Sequence, residues 1–484
     1  MPPPPRTCRL PWPAFSPPAR NWRSPERMQP PNAPRATMAE ENRAISYLQI
    51  IPVFCAVFLS VLDYAIANIA LPQISAELAI PASLSVWVVN AYQLSNAMLL
   101  LPVARLSDRL GAKRLCVAGL LIIIAGSLLC AMAHTFPVLV AGRLIQGVGG
   151  SCIMSVSSAL VRQIYPHARL GQGLAINALV IAFGFAVSPG VSSAILYLAN
   201  WRWLFLFNIP YALLLLFPLF RYVPLRIVSR ARVDGLPLVL TACCLGAPLL
   251  SFDMLAHGGH AALAGLAAVV MGACATVLIR RERGSEAPVL PVDLLCSRDF
   301  LAAFMVCFIG YITANFFMVS IPFTLTTYFH RTVIHSGLLI TFWPLGMVMG
   351  GPLVARAADR VQAGLLSSFG LALVGAGFLC LYFLPCNTAD PALCALFLMA
   401  GVGFSFFVSP NNKAMMVAAP LHRSASASAM ISVGRIMGQS VGAACVAYVM
   451  QAYATERGGH LCLVFGVLSA WLGVLVSVSR LRRP

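Results

Sequence analysis

Apolar runs of roughly twenty residues, enough to cross a bilayer as helices, follow one another from residue 47 almost to the C-terminus. Fourteen are read: 47–71, 84–104, 115–134, 137–161, 174–199, 203–222, 236–255, 261–279, 300–328, 337–355, 364–385, 391–413, 425–452 and 461–479. In hydrocarbon each backbone N–H and C=O must be satisfied within its own segment, so the runs predict helices. The expected fold is an all-α polytopic membrane protein with fourteen spans.

The polar breaks orient it. Those after even-numbered runs, with the C-terminal tail, hold twenty basic residues; those after odd-numbered runs hold Arg202, Arg331 and Arg457. Basic residues are retained on the cytoplasmic side, so both termini are expected there, in the inner (plasma) membrane. Residues 1–43 are rich in Pro and Arg and have no apolar run. They read as a disordered cytoplasmic extension, or as an upstream extension of a chain whose natural start is Met38. The Ala-Glu-Glu-Asn-Arg that follows Met38 favours the second reading.

Composition narrows the class further. The 484 residues are 59% hydrophobic and only 10% charged, too little charge to cover water-soluble domains of this length. The net charge of +18 does not point to nucleic acid: apart from Lys113 and Lys413 the bases are arginines, scattered singly or in short groups between apolar runs. The 15 cysteines sit mostly inside those runs as packing residues, without a metal-type C-x-x-C pair. Cys386 and Cys394 flank a short outer loop and are the pair placed for a disulfide. No cofactor or metal is expected.

A short repeat divides the chain. Arg105-Leu-Ser-Asp108-Arg109-Leu-Gly111-Ala-Lys113-Arg114 follows the second run, and its core returns as Arg356-Ala-Ala-Asp359-Arg360 after the tenth. Two six-helix bundles, 44–222 and 299–484, are therefore expected, with 223–298 a linker carrying two inserted helices. That inserted hairpin, poor in polar residues, is expected to face lipid. The repeated loop reads as an ion-pair latch that forms in one conformation and parts in another, or as topogenic charge; its internal acid favours the latch. Gly111 permits the tight turn.

Charges inside spans mark function, because an ionised group in hydrocarbon is costly. Asp253 lies near a helix end and can reach the interface. Asp63 is about 24 Å into the first run at ~1.5 Å per residue, too deep to do so. It is the proton-carrier candidate, the alternative being a structural buried carboxylate. Arg143, roughly 10 Å below the outer surface by the same rise, is its expected partner. Gln146 sits one turn on, and Gly147 and Gly150 allow a neighbouring helix to approach. Gly184, Pro189 and Gly190 in the fifth run predict a bend between halves. Lys413 is placed to snorkel, and Arg435 to bind anionic groups. Asn68, Tyr92, Gln93, Asn96, Gln146, Phe183, Asn315, Phe316, Trp343 and Arg435 are the candidate cavity residues, suited to amphipathic or weakly charged compounds.

From about residue 45 to 480 the chain resembles the major facilitator superfamily, in its fourteen-helix drug:proton antiporter branch. Leu62–Pro72 (LDYAIANIALP) resembles the branch's first-helix motif and Arg105–Arg114 the superfamily's loop motif. Ala141–Gly150 (AGRLIQGVGG) is similar to the fourth-helix motif, whose Arg the family implicates in proton coupling. Asn200–Pro210 (NWRWLFLFNIP) and Arg281–Pro291 are similar to the fourteen-helix branch. Two departures stand out. The fifth-helix pattern G-P-x-x-G-G is here Ser188-Pro189-Gly190-Val191-Ser192-Ser193, and Tyr64 stands where a smaller Thr is common.

The resemblance implies the major facilitator fold and a monomeric, proton-coupled secondary transporter exporting a small organic compound by alternating access, without enzymatic activity. A periplasmic adaptor protein is a further expected partner. An uptake symporter or facilitator on the same fold is the alternative, and a non-transporting membrane sensor a more distant one. No phosphate-binding G-x-x-x-x-G-K-[ST] loop is present for ATP.

Overall fold

The computed structural model describes residues 47–166, 169–225, 235–256, 261–282, 292–357, 360–419, 424–453 and 455–481. Fourteen helical passes run through them: α1 (Tyr47–Glu77), α2 (Ala82–Leu110), α3 (Ala112–Ala131), α4 (Phe136–Ile164), α5 (Leu170–Leu198), α6 (Arg202–Tyr222), α7 (Gly235–Ala256), α8 (Ala261–Glu282), α9 (Arg298–Thr327), α10 (Val333–Ala357), α11 (Ala363–Phe383), α12 (Asp390–Ala418), α13 (Ser424–Ala452) and α14 (Thr455–Val478). No strand occurs among the described residues. The all-α polytopic fold expected from the apolar runs is the fold of the protein. The N-terminal extension, Asp359 and most of the Arg281–Pro291 motif lie outside the described residues, as does the side chain of Asp253.

Three passes are interrupted, α2 at Val86, α6 at Phe207 and α10 at Thr341. Elsewhere the bounds follow local chemistry. Gly111, at φ 88°, ends α2 and donates its N–H to the Ser107 carbonyl at 2.9 Å. That left-handed region is open to glycine without steric cost. Pro137 and Pro391 sit in the first turns of α4 and α12, where no amide hydrogen is needed.

Residues 105–110 are therefore helix rather than loop, because a single glycine suffices to turn the chain into α3. Asp108 is half-buried, and no described residue bonds or ion-pairs to it; Arg105 acts on it through space. Lys113 instead reaches α6, donating to the Phe220 carbonyl at 2.7 Å with its ammonium 5.2 Å from the Phe220 ring centre. Arg109 and Arg114 are exposed, as are Arg356 and Arg360 in the second copy. Lys413 is also exposed. The side of the molecule holding the α2–α3 turn is its basic face, and the opposite side its far face.

The far face explains two of the three bases that break the charge alternation. Arg202 ion-pairs with Glu77, donates to the Ala133 carbonyl at 3.0 Å and lies 4.3 Å from the Trp201 ring centre. The Trp201 indole donates to the same Glu77 at 2.6 Å. Arg331 pairs with Asp390 at 2.8 Å, and His335 reaches the other carboxylate oxygen at 3.0 Å. Each base is thus matched by an acid on a neighbouring helix end. Cys386 and Cys394 are both free thiols.

The inserted hairpin needs a correction. Only α8 is broadly outward-facing, with Leu266 and Val269 exposed. Helix α7 packs into the seam between α2 and α13, where Leu245 is buried with Leu100, Leu101, Val433 and Ile436. Gly246 lets the backbone of α7 close on Met98. The low polarity of α7 thus reflects contact with protein rather than with lipid alone.

Candidate functional site

The first site is a buried polar cluster between α1, α3, α4 and α6. Asp63 and Arg143 are both 0% exposed; Arg143 Nη1 lies 3.4 Å from Asp63 Oδ1 and also donates to the Asp63 backbone carbonyl at 3.2 Å. Asp63 Oδ1 accepts from Arg143 Nη1, from Gln146 Nε2 at 2.9 Å and from Asn208 Nδ2 at 2.6 Å. Gln146 turns its other amide atom to Arg143 at 2.8 Å and also donates to Ser127 Oγ at 2.8 Å. Arg143 Nε donates to the Val88 carbonyl at 2.8 Å, and the guanidinium lies 4.7 Å from the Tyr92 ring centre and 5.6 Å from that of Phe205.

This carboxylate is used unevenly. Three donors converge on Oδ1, while Oδ2, also buried, has no partner among the described residues. The free oxygen is the position at which a proton can reside without displacing a hydrogen bond. Loss of the negative charge would still leave Arg143 held by Val88, Gln146 and two aromatic faces.

Local packing fixes the arrangement. A Cβ at Gly147 would collide with Ser95 Oγ and the Tyr92 carbonyl, and one at Gly150 with the Tyr92 hydroxyl. Only glycine at these two positions lets α4 lie against α2, with Tyr92 donating onward to the Ser60 carbonyl at 3.0 Å. Asn208 and Ser127 were not singled out from sequence. Asn208 lies within the Asn200–Pro210 motif and follows the break at Phe207, which turns its amide towards Asp63. Ser127 carried no signal.

The second site is a cavity of about 440 Å³ between the halves, lined by α4, α5, α9, α10, α12 and α13 and reaching towards the basic face. Asn315, Trp343 and Arg435 line it as expected residues; Asn177, Tyr311, Asn412 and Gln439 join them. Asn68 lines a separate water-sized pocket of about 20 Å³, with Tyr64, Ser188, Pro189 and Gln439.

The other expected cavity residues are placed elsewhere. Phe183 is 54% exposed and turned outward against Phe58. Phe316 faces α14, its ring stacked 6.3 Å from Phe465. Tyr92 and Gln146 belong to the Asp63 cluster. Asn96 is buried without lining the cavity. Gln93 bonds across the halves to Gln439 at 3.1 Å. The sequence points to α1 and α2 as cavity helices, but in this conformation they meet the opposite half at the closed end.

That closed end is a polar tie. Tyr64 donates to Asn315 Oδ1 at 3.5 Å, and Asn315 donates to the Gln439 carbonyl. Towards the far face, α5 meets α1 and α10. Ser192 donates to the Ile66 carbonyl at 2.9 Å, while Ser193 is buried against Gly337. Pro189 is buried, Gly184 lies on Val61, and Gly190 is near Thr341. The serines of the altered fifth-helix pattern thus form a closed contact, with one glycine supplied by α10. Asp63 lines neither cavity.

Known proteins agree with this architecture. A protein 37% identical over 90% of this chain and 96% of its own length is an uncharacterised transporter, YebQ, of Escherichia coli. The multidrug export protein EmrB of Haemophilus influenzae is 26% identical over 81% of this chain and 78% of its own. A crystal structure of a POT family transporter superposes with a TM-score of 0.68 at 14% identity, covering 90% of this chain and 96% of that one, a likeness of fold. The family model described as Major Facilitator Superfamily matches residues 53–278 and 300–484. With fourteen helical passes, twelve of them long and apolar enough among the described residues to cross a membrane, the chain belongs to the Major Facilitator Superfamily, a family of membrane transporters.

Proposed function

We propose that the protein is a proton-coupled antiporter that exports small amphipathic organic compounds by alternating access, using the cavity as cargo site and Asp63 as proton carrier. The observation that carries this is the Asp63 cluster, a carboxyl group with one oxygen committed to three donors and the other unpartnered. In the ionised state Asp63 and Arg143 hold α1 to α4. Protonation weakens that attachment and biases the bundle towards its other-facing conformation. The likeness to export proteins such as EmrB supports the direction of transport.

On this reading residues 44–222 and 299–484 are the two rocking bundles, and 223–298 is the linker. The protein works as a monomer in the inner (plasma) membrane, with the basic face cytoplasmic; a periplasmic adaptor is an optional partner. A riboflavin transporter of Clostridioides difficile, 25% identical over 82% of this chain, keeps the metabolite-carrying alternative in play.

The test uses proteoliposomes loaded with a pH-sensitive dye and challenged with a panel of amphipathic compounds and riboflavin. Antiport moves protons opposite to cargo, whereas symport gives the reverse sign. Asp63→Asn is expected to abolish accumulation driven by a pH gradient while sparing downhill exchange. Undiminished driven accumulation in that variant would remove Asp63 from the mechanism.

A further inference from the structure

The charge inside the cavity says more about the cargo than its shape does. Arg435 is the one ionisable base or acid among the lining residues, apart from the phenol of Tyr311. Among the described residues it forms no ion pair and no hydrogen bond, although its charge acts on Tyr64, Tyr311 and Cys307. Its direction is built in. Gly434 sits under Phe304 and Cys307, and Gly442 against Asn315, so that face of α13 lies flush on α9. The adjacent face, with Ser428, Ile431, Ser432, Arg435 and Gln439, then lines the cavity.

An arginine kept at membrane depth needs water, a carboxylate or a bound anion. Among the described residues no carboxylate lines this cavity. The same cavity is lined by Asn315 and Gln439 and by an aromatic wall. Tyr311 packs edge-on to Phe404 at 5.6 Å, and Trp343 lies 5.6 Å from the same ring. Met318 and Met347 supply an adaptable apolar surface.

We propose that Arg435 is the anion-recognising group of the cavity, and that the cargo is an amphipathic organic anion: a ring body against Tyr311, Trp343 and Phe404 with a carboxylate on Arg435. The guanidinium fork matches a planar carboxylate through paired N–H donors, and Gln439 and Asn315 are neutral amides lining the same cavity. A lipophilic cation would meet an unscreened like charge. This rests on the reading of the cavity as cargo site, and it narrows the substrate class.

Three probes sharing one ring system decide it: 2-naphthoate, 2-naphthamide and 2-naphthylmethylammonium. Binding is measured at neutral pH by equilibrium dialysis against purified protein in detergent, without any gradient. Wild type is expected to bind the carboxylate about tenfold or more tightly than the amide or the ammonium. Arg435→Gln is expected to bring the carboxylate to the level of the amide without weakening the amide, and Arg435→Lys to retain part of the preference. Because the measurement uses no gradient, failure of proton coupling and failure of anion recognition remain distinguishable. If Arg435→Gln does not fold, the wild-type series and Arg435→Lys carry the decision. Equal or tighter binding of the ammonium by wild type overturns the assignment. So does a carboxylate preference that survives Arg435→Gln, or the absence of any naphthyl binding to folded wild type.

Discussion

Ser193 of α5 fills the space that a side chain on Gly337 of α10 would need. A Cβ at Gly337 would collide with the Ser193 hydroxyl and lie 3.1 Å from Ile69. The pair closes the far face between the two halves, so its packing bears on which way the cavity opens. Gly337→Ala should destabilise this conformation by about 1–3 kcal/mol, as overpacking does. It should also increase thiol labelling of an Asn68→Cys reporter from the far face. Adding Ser193→Gly should restore labelling towards the parent value. Independent, additive effects of the two substitutions would show that the residues do not meet.

Asn208 is the donor nearest to Asp63, and its removal isolates one arm of the cluster. Asn208→Ala is expected to lower unfolding stability by about 1–3 kcal/mol, the cost of depriving a buried carboxylate of a donor. Gradient-driven transport should fall with it. Combined with Asp63→Asn, the loss should be clearly smaller than the sum of the two single losses, because the bonded partners couple. A double variant with additive losses argues that the two side chains act separately.

How much of this was legible in sequence depends on how local the signal is. The helices followed from apolar run length. The Asp63–Arg143 contact followed from cost, because two opposite charges at similar depth in neighbouring spans have few other places to go. Asn208 and Ser127 are uncharged, and nothing in their spacing separates them from packing residues. The cavity wall was read less well because it depends on conformation. With the opening towards the basic face, α4, α12 and α13 are lined up where α1 and α2 were expected. The serines of α5 stand where the resembling pattern has glycines, and the compensating Gly337 lies on another helix, 144 residues along the chain.

Gln93 and Gln439 tie the two halves at the closed end of the cavity through one hydrogen bond of 3.1 Å. Gln93→Leu leaves the Gln439 amide oxygen without this partner, and Tyr64→Phe removes the second tie, to Asn315. Each change should weaken closure by about 1 kcal/mol, roughly a fivefold change in the open-to-closed ratio at the far face. Thiol labelling of the Asn68→Cys reporter should rise accordingly, more in the double variant than in either single one. Unchanged labelling in all three would mean that closure is held by apolar packing alone.

Helix α7 offers a test of whether the inserted hairpin is seated in the seam. A Cβ at Gly246 would come within 2.7 Å of the Met98 side chain. Because that obstacle is a flexible thioether rather than backbone, Gly246→Ala should be absorbed by a rotamer change in Met98, at a cost below about 1 kcal/mol. Gly246→Leu cannot be absorbed in the same way and must push α7 away from α2 and α13, exposing Leu245 and its neighbours. A loss of about 1–3 kcal/mol is expected, read as a lower thermal unfolding midpoint in detergent, and Met98→Ala should recover much of it by clearing the space. A Gly246→Leu protein as stable as its parent would place α7 among lipid rather than between the halves.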